Sequence, residues 1–400
     1  MRMSSVQIFQ QGISAILMQQ AEAARTEQQL ATGRRILSPS DDPAAATQIM
    51  DITEDLERVD QFQRNANAAE GQLALEETVL ADAGTLIQRV RELVVQANNA
   101  TQTPETRRNI AIEIEARIDE LVGLANTRDA GGEYIFGGFQ SQSQPFFRQG
   151  SDVAYAGDDG QRFVQVGNSV QVAVRDSGAD VFMRVPSGNG TFSVAPGAGN
   201  SGTAVIDATA TTGPFASDDY TIGFSQATPA DPVTYQVTDS SATAIASGTY
   251  SEGQALEFAG ARVILKGTPA AGDTFEVRPS RSQDIFGTLR DIADALNTSG
   301  TTPAEQADLN NAMTIALGDL DQALGKVLEV RSDVGVRLQH VQSQLDVNES
   351  FNLQLQETLS GIRDLDFAEA VTRFNLQLTA LEAAQQSFAR MQGLSLFNFL

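Results

Sequence analysis

Residues 367–388, FAEAVTRFNLQLTALEAAQQSF, place Phe367, Val371, Phe374, Leu378, Leu381, Gln385 and Phe388 at a 4,3,4,3,4,3 spacing, and every beat but Gln385 is apolar. Such a stripe falls on one face of an α-helix and seeks a second helix to cover it. The opposite end of the chain has a matching pattern. Phe9, Ile13, Ile16, Ala23 and Leu30 share the same spacing, with Gln20 and Glu27 on the remaining beats. Six buried apolar side chains return too little to offset the ordering of a helix of about 30 residues. Two readings follow: the ends pair with each other as a simple intramolecular hairpin of helices, or they order on polymerisation by pairing with each other and with neighbouring copies, and the aligned seams at both extreme ends favour the second. Gln20 and Gln385 have two open readings: they set register in that seam, or they face a hydrated channel.

Inward from both ends the texture stays helical. Gly33 stands where a left-handed cap closes the first helix. A run from about 43 to 99 carries Ile49, Ile52, Leu56 and Val59, then shifts phase to Val79, Leu86, Val90 and Leu93. At 1.5 Å per residue such a helix is roughly 80 Å long and needs partners along its length. Thr103 before Pro104 reads as an N-cap with proline at N1 of a third helix that closes near Asn126. Helical patterning resumes at 284–296 and runs from Pro303 to about Ser360.

The middle, about 133 to 280, is rich in Gly, Thr, Ser, Val and Asp, with frequent turn signals. FVQVGNSVQVAV (163–174) reads as a hairpin with its turn at Gly167 and Asn168. EYIFGGF (133–139), DYTIGF (219–224), VTYQVT (233–238), ARVILKG (261–267) and DTFEVRP (273–279) read as further strands. The expected fold is α+β: a long antiparallel bundle or coiled coil formed by the N- and C-terminal segments, with a β-rich domain inserted between them. The expected layers are 1–40 with 361–400, a terminal helical domain disordered in the monomer; 41–132 with 284–360, a long-helix bundle; and 133–283, an outer β-rich domain.

Composition excludes several classes of function. The 51 acidic against 27 basic side chains give a formal charge of -24, which repels polyphosphate and anionic lipid, so no nucleic-acid or membrane partner is expected. There is no cysteine and one histidine, His340, on a helical stretch. Disulfides, thiolate chemistry and a multi-His or Cys zinc site are thereby excluded, and neither catalytic nor metal residues are expected. GAGNSG (197–202) matches GxGxxG in letters, yet TAVIDATATT after it is strand-like, whereas a dinucleotide loop must open a helix. No cofactor, small-molecule substrate or enzymatic activity is expected. No secretory signal is expected at the N-terminus, where the longest apolar run is Ala15 to Met18, and no stretch approaches the ~20 apolar residues of a membrane span.

SPSDDPAAA (38–46) reads as a joint. Pro39 and Pro43 hold the residues before them extended. Asp42 is placed as N-cap with Pro43 at N1, and Asp41 adds charge at the positive end of the helix dipole.

Taken together, MRMSSVQIFQQGISAI (1–16), LATGRRILSPSDDPAAA (30–46), LANTRDAGGEYIFGGF (124–139), GTPAAGDTFEVRPS (267–280) and GLSLFNFL (393–400) resemble the flagellin superfamily of bacterial flagellar proteins. Pro39, Pro43, the YIFGG transition and the Phe-rich ending resemble its junction-type members more than filament flagellins. The resemblance implies a structural adaptor between hook and filament, touching the first hook-associated protein on one side, flagellin on the other and copies of itself in a ring. It also implies export through the flagellar type III channel without a cleaved signal peptide, aided by a cytoplasmic chaperone, to an extracellular position. The assembly residues would be Phe9, Ile13, Ile16, Leu30, Phe367, Val371, Phe374, Leu378, Leu381 and Phe388, hinged at Gly33, Pro39, Asp41, Asp42 and Pro43. A filament flagellin is the alternative, and a secreted glycan-binding adhesin a more remote one.

Overall fold

Punctuation in the sequence sets the helix boundaries. α1 (Ser5–Thr32) stops at Gly33, whose φ of 69° only glycine adopts without strain and whose N–H donates to Gln29 O at 2.9 Å. α2 (Pro43–Ala97) opens at Pro43 and runs without interruption through the phase shift in its apolar pattern. α3 (Pro104–Ala125) begins at Thr103 in a reciprocal cap with Thr106 and ends at Asn126. α4 (Ile285–Asn297) is capped by Asp284, and α5 (Pro303–Arg363) and α6 (Phe367–Phe397) complete the helices. The structure, a computed structural model, describes residues 5–298 and 300–397, with the side chains of 7, 9–298 and 300–390. Residues 1–4 and the side chains of the GLSLFNFL ending lie outside the described residues.

Between α3 and α4 come fourteen strands. β1 (Phe146–Gln149) with β2 (Asp152–Tyr155) and β3 (Phe163–Gly167) with β4 (Val170–Ala173) form two hairpins. β5 (Val185–Pro186) pairs with β14 (Ser282–Gln283). The rest make two sheets. β6 (Phe192–Pro196), β8 (Tyr220–Ser225), β9 (Thr234–Thr238), β10 (Ala244–Thr249) and β13 (Thr274–Pro279) lie in the order β10-β9-β8-β13-β6; β7 (Val205–Thr211), β11 (Ala255–Phe258) and β12 (Ala261–Lys266) lie in the order β11-β12-β7. Every pairing is antiparallel. Alternate residues of β8, β12 and β13 point inward, so Ile222, Phe224, Val263, Leu265, Phe275 and Val277 fill the space between the sheets.

Two strand expectations change. EYIFGGF is not a strand, although its composition suits one. Its backbone bonds go to three separate segments: Tyr134 N–H to Ser141 O (2.8 Å), Ile135 N–H to Thr127 O (3.1 Å) and Gly178 N–H to Phe136 O (3.0 Å). Buried Tyr134, Ile135 and Phe136 make it a plug, and Phe136 meets Phe182 edge-on with centroids 5.2 Å apart. The turn of the 163–174 hairpin is Asn168–Ser169, one residue beyond the expected pair. GAGNSG is a loop leading into β7, tied down by the Asp273 carboxylate, which accepts from Ser201 N–H (2.8 Å) and Gly202 N–H (3.0 Å).

The chain forms two compact units, residues 1–65 with 344–400 and residues 66–343, dividing within α2 and α5. The larger unit holds the strands, α3, α4 and the long buried run of α2 from Ala66 to Ala97. In it α2 and α5 run antiparallel, linked by Arg91–Asp321 (2.8 Å) and Arg331–Glu77 (2.6 Å). The smaller unit holds α1, α6 and the outer lengths of α2 and α5, where Asn352 donates to Asp60 at 2.7 Å.

Candidate assembly site

In the smaller unit α1 and α6 pack as an antiparallel pair, in register so that Gly12 lies against Phe388 and Gly33 against Phe367. The side chains turned into this contact are mostly small or polar: Gly12, Gln19, Ala23 and Thr26 from α1, and Ala370, Gln377 and Ala384 from α6, with Ile16, Leu30, Phe374, Leu381 and Phe388 half-buried among them. Small residues let the helices approach closely; a Cβ on Gly12 would stand 2.8 Å from the Phe388 ring.

The remaining apolar beats stay outside. Phe9 is 42%, Phe367 55%, Val371 46% and Leu378 39% exposed, and Ile13 is exposed with them. At about 100° per residue, this outer stripe is rotated roughly 80° from the contact face on each helix, in the same sense. In an antiparallel pair of right-handed helices, equal rotations bring both stripes to the same side. Two contacts fit that geometry: Phe9 and Phe388 rings approach to 5.1 Å on the apolar side, and Arg373 reaches Gln29 at 3.5 Å on the other. Gln20 and Gln385 are exposed and fall on the apolar stripe. The 4,3 spacing thus marks two faces in succession, one used inside the pair and one left open. Apart from Ala23, the contact stripe of Gly, Ala, Thr and Gln does not coincide with the apolar beats, though Gly12, Ala23, Ala370 and Ala384 themselves carry its spacing.

The joint beyond the pair is zipped by backbone bonds. Leu365 N–H donates to Gly33 O (3.0 Å) and Arg35 N–H to Arg363 O (2.8 Å), while the Arg35 guanidinium donates to Ile362 O (2.7 Å) and Gln29 Nε2 to Arg35 O (2.6 Å). Asp42 accepts from Ala45 N–H at 3.0 Å as the cap of α2, and Asp366 caps α6 in the same way through Ala368 N–H at 2.9 Å. Pro39 sits at the second position of the Ser38–Asp41 turn, closed by Asp41 N–H to Ser38 O at 2.9 Å. Asp41 is placed differently from the expectation of a dipole charge. Its carboxylate accepts from Ser38 N–H (3.0 Å) and Leu37 N–H (3.1 Å) and pairs with Arg25 of α1 at 2.7 Å. The Ser38 N–H foremost, then Leu37 N–H and Arg25, hold it below the ordinary carboxylate range. The caps are local, whereas the backbone bonds between 33–35 and 362–365 join segments far apart in sequence and carry no periodic signal.

Among the described residues no group of three or more His, Cys, Asp or Glu is placed to hold a metal, and His340 lies exposed on α5. Glu76, fully buried on α2, is pushed up to about 8, mainly by desolvation and then by Asp176. It accepts from Asp176 N–H at 3.0 Å, while Arg337 pairs with the Asp176 carboxylate at 2.9 Å. Through Asp176 it links α2 to α5, since Arg337 lies on α5.

Family models of the bacterial flagellin N-terminal helical region and C-terminal helical region match residues 5–141 and 317–400. Flagellar hook-associated protein 3 of Escherichia coli is 25% identical over 398 residues, covering 100% of this chain and 99% of that protein. The crystal structure of flagellar hook associated protein-3 from Legionella pneumophila is 33% identical, covers 78% of this chain and 98% of its own, and superposes with a TM-score of 0.75. The chain belongs to the flagellar hook-associated protein 3 family. As a member of the hook-associated protein 3 family it is a structural component of the flagellum, with helical ends of flagellin type around a β-rich insert. Polar flagellin C of Vibrio parahaemolyticus is 34% identical over 112 residues, only 28% of this chain, so the likeness to filament flagellins stops short of the full length that hook-associated protein 3 shares.

Proposed function

We propose that this chain is the structural adaptor that joins hook to filament, and that the α1–α6 pair is its assembly segment. The carrying observation is the outer stripe of Phe9, Ile13, Phe367, Val371 and Leu378, which the chain's own fold leaves uncovered. Its occupants in this reading are copies of the same chain in a ring, with the first hook-associated protein on the hook side and flagellin on the filament side. Residues 1–40 and 361–400 form the inner tube, the long helices the layer around it, and 133–283 the outer face. The joint at Gly33–Asp42 is the hinge between the segment that orders on assembly and the bundle already folded. Export passes through the type III channel, with a chaperone on the C-terminal end. No described helix is long and apolar enough to cross a membrane.

A deletion strain should keep its hooks and shed flagellin into the medium; attached filaments in that strain would sink the junction role. Leu378→Asp is the sharper residue test, because Leu378 is outside the α1–α6 contact whereas Phe374 is partly inside it. The purified variant should fold as the parent does yet fail to enter flagella. Normal incorporation would show that the stripe is not the assembly surface.

A further inference from the structure

The β-sandwich, 192–279, is connected to the helices through a neck of two antiparallel segments. β5 pairs with β14, Ser187 N–H donates to Arg281 O (2.9 Å), Ser280 N–H to Thr191 O (2.9 Å) and the Ser280 hydroxyl to Ser187 O (2.8 Å). Gly188 and Gly190 within the neck have φ of 66° and 84°. A neck of a few residues bends easily, because few φ and ψ angles need change. What opposes bending lies on α5.

Asn311 of α5 is 1% exposed. Its Oδ1 accepts from Ile206 N–H at 2.7 Å and its Nδ2 donates to Ala204 O at 3.1 Å. This is the donor and acceptor pair that a neighbouring strand would offer, delivered by a helix side chain to β7, the outermost strand of its sheet. Two turns further along the same face, the Asp319 carboxylate accepts from Gly188 N–H in the neck at 2.7 Å. Between them Ile315 packs against the sandwich core, and a Cβ on Gly318 would stand 3.4 Å from Gly188 O.

The apolar contact of Ile315 tolerates sliding, since dispersion is spread over many weak atom pairs. The Asn311 pair does not. Moving β7 by one residue turns the opposite set of N–H and C=O groups toward α5 and leaves a buried amide unpaired. We propose that Asn311 and Asp319 are positioning residues, a polar latch that seats the β-sandwich on α5 in one register and stops the neck from acting as a hinge. A chain repeated in an assembly then presents the same outer surface in every copy. The latch stands apart from the α1–α6 stripe, and neither reading depends on the other.

The chain has no cysteine, so Ser241→Cys on the sandwich and Ser332→Cys on α5 provide the sole spin-label sites for pulsed dipolar spectroscopy on the full chain. The labelled parent should give one narrow distance distribution. Asn311→Leu and Asp319→Leu should each broaden it at least twofold or add a second distance, with amide protection in β8, β12 and β13 retained. Asp319→Asn, which keeps an oxygen for Gly188 N–H, should stay narrow. Val263→Ala, in the sandwich core, should lower Tm and leave the distribution narrow, which separates position from stability. If Asn311→Leu fails to fold, Asn311→Ala carries the same expectation. A narrow, unshifted distribution in the latch variants, or equal broadening in Val263→Ala, would overturn the proposal.

Discussion

The two compact units differ in how far they bury large apolar side chains, although the larger one also exposes Phe139 and Phe163. In residues 66–343 the most deeply buried are Phe136, Phe146, Phe182, Phe192, Phe275 and Phe286, with leucines and isoleucines of α2 and α3. In residues 1–65 with 344–400 the buried apolar side chains among those described are Ala23, Ala45, Val59, Leu345, Leu359, Leu365 and Ala370. Phe9, Leu17, Met18, Phe351, Phe367 and Leu376 of that unit lie exposed. One unit closes its core from its own chain. The other leaves Phe9, Ile13, Phe367, Val371 and Leu378 exposed on one side of the α1–α6 pair, and apolar residues gathered on one face mark a docking surface where singly scattered ones do not.

The largest effect expected from this contrast is at the aromatic cluster of the larger unit. Phe146, which contacts Phe182, Phe286 and Tyr155 with centroids 4.9–5.5 Å apart, should cost about 3–5 kcal/mol as Phe146→Ala. Phe367→Ala in the smaller unit should change monomer stability by less than about 1 kcal/mol while impairing incorporation into flagella. Denaturant titration and a motility assay on both variants check this, and equal destabilisation would erase the contrast.

The next effect is a dependence on pH confined to the larger unit. Glu76 titrates near 8 when folded against an ordinary value of 4.5. A raised carboxyl pKa means that the folded state holds the extra proton between those values. Its contribution is therefore complete below about pH 4.5 and lost as pH rises toward 8, a loss of a few kcal/mol at ~1.4 kcal/mol per unit. Glu76→Gln, which keeps the acceptor for Asp176 N–H, should flatten that slope between pH 5 and 8. An unchanged slope in urea titrations would show that Glu76 is not its source.

Smaller effects test the joint. Asp42→Ala should cost about 1 kcal/mol at the start of α2, seen as faster amide exchange at Ala45 and Ala46 and unchanged exchange in β12. Arg25→Ala, which removes the half-exposed partner of Asp41, should cost no more than about 1 kcal/mol and less in high salt. A larger loss from Arg25→Ala than from Asp42→Ala would mean that the loop clamp, not the cap, holds the joint.

Local rules made much of this legible. Gly33, Thr103, Pro104, Asn126, Asp42 and Pro43 punctuate the helices as read, because caps and breakers act within four residues. Alternation located β8, β9, β12 and β13 for the same reason. The short strands β1, β2, β5 and β14 carry too few residues to show a period, and EYIFGGF misled because burial on all sides reads like a buried strand. At the candidate site the apolar beats were visible, but not which of them would face the partner helix. That choice belongs to Gly12, Ala23, Ala370 and Ala384, whose small size lets the helices close on them.

The sequence by itself determined the α+β class, the order of the long helices around a β-rich middle, the absence of cysteine chemistry and the presence of apolar stripes at both ends, all of which follow from spacing and composition. Only the tertiary structure decided that Asp41 clamps a loop to Arg25, that Asn311 completes the edge of β7 from a helix, and that Phe9, Ile13, Phe367, Val371 and Leu378 share one open side. Each of these joins residues tens to hundreds of positions apart, or fixes a rotation about a helix axis, and neither quantity is written in a local period.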